Sequence, residues 1–206
     1  MGEKPIIPTQ EQINRVLIPH QNQQERACGH DPRERAVWLR TCYAPDLDNI
    51  YQDMLGQTCD TVVFPEHILD NRDLYAFEDK WDHVLNRIPT LCDAYPNEDE
   101  YNWFMSDDPP SLSDSTYGLW DAALRQTVMV YLVDRQALVE KLVTVMWLDC
   151  HGECVWWYRI KADYNDLMSF TGRLARVGMM GLLEFADPPV ADEGVLEKGG
   201  LIDWIG

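Results

Sequence analysis

Residues 128–160 constrain the fold more than any other part of the chain. They read VMVYLVD, then a short polar piece, then LVTVMWLD, CHGE and CVWWYRI. Three apolar runs rich in β-branched and aromatic residues are each closed by an acid, a turn or a charge. Runs of this length and content are strands buried in a sheet. The piece between the first two, Gln136–Glu140, has room for only a short helix. His151-Gly152 between the last two marks a hairpin turn. This stretch is therefore the middle of a sheet.

The rest of the chain supplies helices and further strands. Thr9 and Gln12 form a capping box for a helix carrying Ile13, Val16 and Leu17, which Pro19 ends. Residues 20–35 are polar and read as a loop. Ala36–Cys42 reads as the first strand, and Pro45-Asp46 open a helix that runs to Leu55 and stops at Gly56. In 57–99 the spacing predicts a short strand at Asp60–Phe64. It also predicts a helix over Asp73–Arg87, with Leu74, Phe77, Trp81, Val84 and Leu85 inward. Tyr101–Met105 reads as a strand and Thr116–Arg125 as a helix. Asp163 caps a helix to about Arg173, and Met179–Phe185 forms a short one.

Strands alternating with helices make βαβ units. The expected fold is α/β, with a mixed sheet of about five strands: a βαβαβ unit followed by a β-hairpin, flanked by helices. The expected organisation is an N-terminal arm and helix (1–35), a single α/β domain (36–195, with 57–99 as a helical insertion) and a tail (196–206). A chain of 206 residues suits one such domain, large enough to bury about 70% of its unfolded surface.

Six pieces of sequence occur in a telling order. They are Leu39-Arg40-Thr41 with Tyr43, Phe104 with Asp107-Asp108-Pro109, VYLVDRQAL at 130–138, VTVMWLD at 143–149, Tyr158-Arg159, and Met180 with Glu184-Phe185-Ala186. Together they resemble a domain-of-unknown-function family of small bacterial proteins with fungal relatives, over roughly residues 36–195. The resemblance implies the same fold outline and no known activity. Where that family has an acid after Leu-Arg-Thr, this chain has Cys42.

Charge narrows the partners. Thirty-five acids against 17 bases give a net charge of -18. Such a surface repels phosphate backbones and anionic lipids, so neither nucleic acid nor membrane is an expected partner. A protein partner or a small molecule is. The start MGEKPIIPTQ has no basic segment followed by a long apolar one, and no run is long enough to span a bilayer. The expected location is cytoplasmic, with the six cysteines reduced.

Chemistry is suggested by position. Arg40-Thr41, Asp107-Asp108, Asp134 and Asp149 each follow an expected strand. Ligands of open α/β sheets bind outside the carboxyl ends of parallel strands. Arg40, Thr41, Asp107, Asp108, Asp134, Asp149 and Arg159 are therefore the candidate ligand-binding residues. Asp107, Asp108 and Asp134 gathered on one rim would suit a hard cation such as Mg²⁺, and Arg40 would clamp an anion. The same residues also read as plain local chemistry: Asp134 as a helix N-cap, Asp107-Asp108-Pro109 as a turn. Cys150, His151 and Cys154 offer three of four zinc ligands, or simply a tight hairpin. Cys28 near His30, or Cys42, would be the nucleophile if a thiol acts.

Two functions follow. One is an acidic α/β domain that binds a protein partner or small ligand without turnover, using segment 93–114 with Tyr95 and Trp103 for a basic or amphipathic partner. The other is a small enzyme with Asp107, Asp108 and Asp134 as metal ligands or general base and Arg40 as anion clamp.

Overall fold

The computed structural model describes residues 20–30, 36–58, 62–92, 126–149, 151–177 and 201–202. A six-stranded mixed sheet organises them. Its strands are β1 (Val37–Arg40), β2 (Ile68–Leu69), β3 (Gln126–Val133), β4 (Leu142–Asp149), β5 (Cys154–Lys161) and β6 (Leu201–Ile202). Their order is β2-β1-β3-β4-β5-β6. β2, β1 and β3 are parallel, β3, β4 and β5 are antiparallel, and β6 runs parallel to β5. The mixed α/β sheet expected from the sequence is present, with one strand more than five.

The helices are α1 (Gln23–His30), α2 (Asp48–Gly56), α3 (Arg72–Tyr75), α4 (Val84–Arg87), α5 (Arg135–Glu140) and α6 (Tyr164–Val177). Two-residue alternation along the strands sends side chains to opposite faces. Trp38, Tyr131, Trp147 and Tyr158 take one face, with Tyr51 and Met54 of α2 and Leu167 and Phe170 of α6 packed over them. Trp38 meets Tyr131 at 5.8 Å and Trp147 meets Tyr158 edge-on at the same separation, geometry that adds to burial. Leu39, Val130, Leu132 and Met146 take the other face, under Cys28, Tyr75, Val84, Ile88 and Leu91. The adjacent Trp156 and Trp157 divide between the faces accordingly.

Several segments depart from the sequence reading. The stretch 20–35 was expected to be a loop, yet it holds α1. Asn22 and Glu25 form a reciprocal capping box there: the Asn22 N–H donates to Glu25 Oε2, and the Glu25 N–H to Asn22 Oδ1, each at 2.8 Å. Glu25 is wholly buried and paired with Arg87. Gly29 allows α1 to lie against Ile88 and Thr90, because a Cβ there would collide with the Thr90 side chain.

The second expected strand also moves. Val62 and Val63 are buried in irregular chain, and the strand is Ile68–Leu69, after a turn that Pro65 begins. The segment 57–99 is thus more than an insertion, since it supplies the edge strand paired with Trp38 and Leu39. The helix expected over 73–87 is broken in two. Asn71 caps α3 through Asp73 N–H. After Tyr75 the Phe77 N–H turns back to the Tyr75 carbonyl at 2.6 Å, and Glu78 takes a left-handed φ of 56°. The Glu78 N–H then donates to the Thr41 carbonyl at 3.2 Å. A tertiary bond replaces the helical one, while Leu74, Phe77, Trp81, Val84 and Leu85 still face the core.

The expected helices at 9–18, 116–125 and 179–185 and the strand at 101–105 lie outside the described residues. So does the acidic segment 93–114. Among the described residues no helix is long and apolar enough to cross a membrane.

Candidate functional site

The parallel part of the sheet places the site. From β1 the chain moves outward through α2 to β2, and from β3 it moves the other way through α5 to β4. The two connections diverge at the carboxyl ends of adjacent parallel strands. That divergence leaves a gap in which ligands of such sheets bind. A crevice of about 830 Å³ occupies this gap. One wall is Thr41–Pro45 after β1, and another is Asp134, Arg135, Gln136, Val139 and Glu140 of α5 and its cap. Arg72, Ala76, Glu78 and Asp79 form the outer wall, held by the Glu78–Thr41 backbone bond.

Thr41 is the most deeply buried member. Its N–H donates to the Val133 carbonyl at 3.1 Å, extending the β1–β3 ladder by one residue. Its side chain is fully buried, and among the described residues its hydroxyl finds no hydrogen-bond partner, like several other buried polar side-chain atoms. A buried hydroxyl without a partner costs about 1–3 kcal/mol.

Asp134 caps α5: its Oδ1 accepts from the Ala137 N–H at 2.7 Å. Glu140 accepts from Gln136 at 2.9 Å and pairs with Arg159 at 2.7 Å. Arg159 thus supports the crevice wall at one remove, reaching it from β5. Arg135 and Arg72 line the crevice with exposed side chains and form no ion pair among the described residues.

Arg40 has a different role from the anion clamp expected of it. Strand alternation turns it to the α2 face, where its side chain is only 4% exposed. Its guanidinium lies over the rings of Tyr51 and Tyr43, 3.8 and 4.4 Å from their centroids. It donates to the Cys42 carbonyl at 2.9 Å and pairs with Asp48 at 2.7 Å and Asp70 at 3.5 Å. Its donors are committed to holding β1, α2 and the end of β2 together. Burial, and then the nearby Asp70 carboxylate, raises the phenols of Tyr43 and Tyr51 well above their usual range, so both stay protonated.

Asp149 lies away from this site. β4 is antiparallel to β3, and Asp149 pairs with Gln126 at the start of β3, the opposite end of the sheet from Asp134. Its Oδ1 accepts from the N–H groups of His151 and Glu153 at 2.9 and 3.0 Å, shaping the hairpin with Gly152 at a φ of 78°. The other two candidate acids, Asp107 and Asp108, lie outside the described residues. Among the described residues no group of three His, Cys, Asp or Glu side chains is placed to hold a metal. Cys154 donates to the Trp156 carbonyl at 3.3 Å, and Cys150 lies outside the described residues. Cys28 is a core thiol that burial, with Glu25 nearby, pushes up to about 12, which removes it as a nucleophile near neutral pH.

The structure therefore brings together Thr41 and Asp134, with Arg159 behind them. It adds Tyr43, Arg72, Glu78, Asp79, Arg135 and Gln136, none of which the sequence offered as a ligand-binding residue. Arg135 follows a strand-end Asp directly and carried a usable signal. Arg72, Glu78 and Asp79 carried none, because only the fold of 65–83 brings them to the end of β1.

Fold and crevice together define a mixed α/β sandwich with a ligand-sized opening at its topological switch point. No family model, curated protein or solved structure matches the chain.

Proposed function

We propose that this protein is an acidic α/β binding domain that takes a small ligand in the crevice between the ends of β1 and β3. The observation that carries this reading is the position of that crevice, at the carboxyl ends of adjacent parallel strands whose outgoing connections diverge. The volume of about 830 Å³ suits a small molecule and falls in the range of ordinary ligand sites. The strained left-handed Glu78 in the same wall is a second feature common at binding sites. A small ligand fits the charge of -18 better than a nucleic acid does. Membership of the uncharacterised family belongs to the same proposal and adds a fold outline rather than an activity.

The test is a thermal-shift screen of a metabolite library on the wild type and on Val139→Trp. Val139 lines the crevice and is 61% exposed, so an indole there fills the opening without entering the core. A ligand at about 100 times its Kd adds roughly 2.7 kcal/mol. In a chain of this size that raises Tm by about 5–10 °C. The expected result is at least one compound whose shift is lost in Val139→Trp. A screen with no shift, or with shifts that survive the blocked crevice, removes this reading.

A further inference from the structure

The charges lining the crevice point to the class of its ligand, an inference that rests on the binding reading above. Six charged side chains line it, four acids and two arginines. Two of the acids are occupied: Asp134 caps α5, and Glu140 is neutralised by Arg159. That leaves Arg72 and Arg135 against Glu78 and Asp79. All four are exposed, and among the described residues none of them forms an ion pair. Opposite charges lining one opening are thus held out of each other's reach.

We infer that the ligand is a small zwitterion, whose carboxylate or phosphate is gripped by Arg72 or Arg135 and whose ammonium is held by Glu78 or Asp79. The guanidinium fork suits an oxyanion, giving two parallel charge-assisted bonds. Ligands of a single sign fit less well. A dianion meets Glu78 and Asp79 and the field of a protein carrying -18. A dication is drawn by that field but meets two unpaired arginines. A zwitterion meets both signs of charge that line the opening.

The test is calorimetric titration of the full chain with four probes of matched length and different charge: ε-aminocaproate, adipate, hexamethylenediamine and hexanediol. Phosphoethanolamine is added to separate a phosphate from a carboxylate as the anionic group. The expected result is that ε-aminocaproate or phosphoethanolamine binds at least about tenfold more tightly than the single-sign and neutral probes, a difference of about 1.4 kcal/mol. Arg135→Gln and Glu78→Gln should each weaken that binding about tenfold, and Val139→Trp should abolish it. All three positions are exposed, so the variants should keep the wild-type Tm within a few degrees. Tighter binding of adipate or hexanediol that Val139→Trp abolishes overturns the zwitterion and leaves the crevice as a binding site. Preference for hexamethylenediamine overturns it in favour of general attraction to an acidic surface. Failure of every probe also overturns it, while the library screen decides the crevice separately.

Discussion

Thr41→Val should make this protein more stable. Threonine and valine have nearly the same shape, so the β-branched fit at the end of β1 is kept. What changes is the hydroxyl, which is fully buried and without a partner among the described residues. Its desolvation costs about 1–3 kcal/mol, and a methyl group carries no such cost. Taking the low end, because the surrounding wall relaxes around the hydroxyl, the gain is about 1 kcal/mol. In urea, with a slope of roughly 2 kcal/mol/M, the midpoint should rise by about 0.5 M. Tm should rise by about 2–4 °C. The assay is urea unfolding of both proteins followed by tryptophan fluorescence. A loss of about 0.5 kcal/mol or more would refute the reasoning. It would mean that the hydroxyl already has a partner.

Substitutions at three other positions test the structural roles. Arg40→Lys should lower stability by about 2 kcal/mol, because an ammonium cannot serve Cys42, Asp48 and Asp70 while lying over Tyr51, yet it should leave crevice binding unchanged; chemical denaturation and titration report the two effects separately. Asp134→Ala should cost about 1 kcal/mol through loss of the α5 cap, and Asp134→Asn much less, since Asn also accepts from the Ala137 N–H; thermal unfolding of the pair checks the order. Glu25→Gln should cost about 2–3 kcal/mol at neutral pH, somewhat below a fully buried pair because Arg87 is 28% exposed. Burial alone would raise the Glu25 carboxyl, but the Arg87 guanidinium and the Asn22 N–H together hold it below its ordinary value of 4.5. The stability from its ionisation is therefore present above that value and is lost as pH falls through the lowered one. Unfolding curves of wild type and variant should converge in acid, and a constant gap down to low pH would contradict the pairing.

Local pattern was enough where a segment's structure depends on its own residues. β3, α5, β4, the hairpin and β5 follow from apolar runs punctuated by Asp134, Asp149 and His151-Gly152. The caps at Asp134 and Asp163 lie within three residues of the N–H groups they accept. The expectation that ligands gather at parallel strand ends came from the same reading, and it led to Thr41 and Asp134.

Sequence alone could not resolve segments whose structure depends on distant partners. Residues 20–35 look polar, yet α1 forms because Glu25 is both its cap partner and the buried mate of Arg87, 62 positions away. The helix expected over 73–87 breaks because the Glu78 N–H is taken by the Thr41 carbonyl, a bond that has no periodicity in the chain. A two-residue strand such as Ile68–Leu69 is too short to alternate visibly and is defined only by pairing with Trp38 and Leu39. The site divides in the same way. The sequence determined that this is an α/β sheet with acids and an arginine at its strand ends. Only the tertiary structure decided which of them face the crevice. Alternation along one short strand turned Arg40 into the α2 face and left Thr41 in the crevice wall, and antiparallel pairing carried Asp149 to the far end of the sheet.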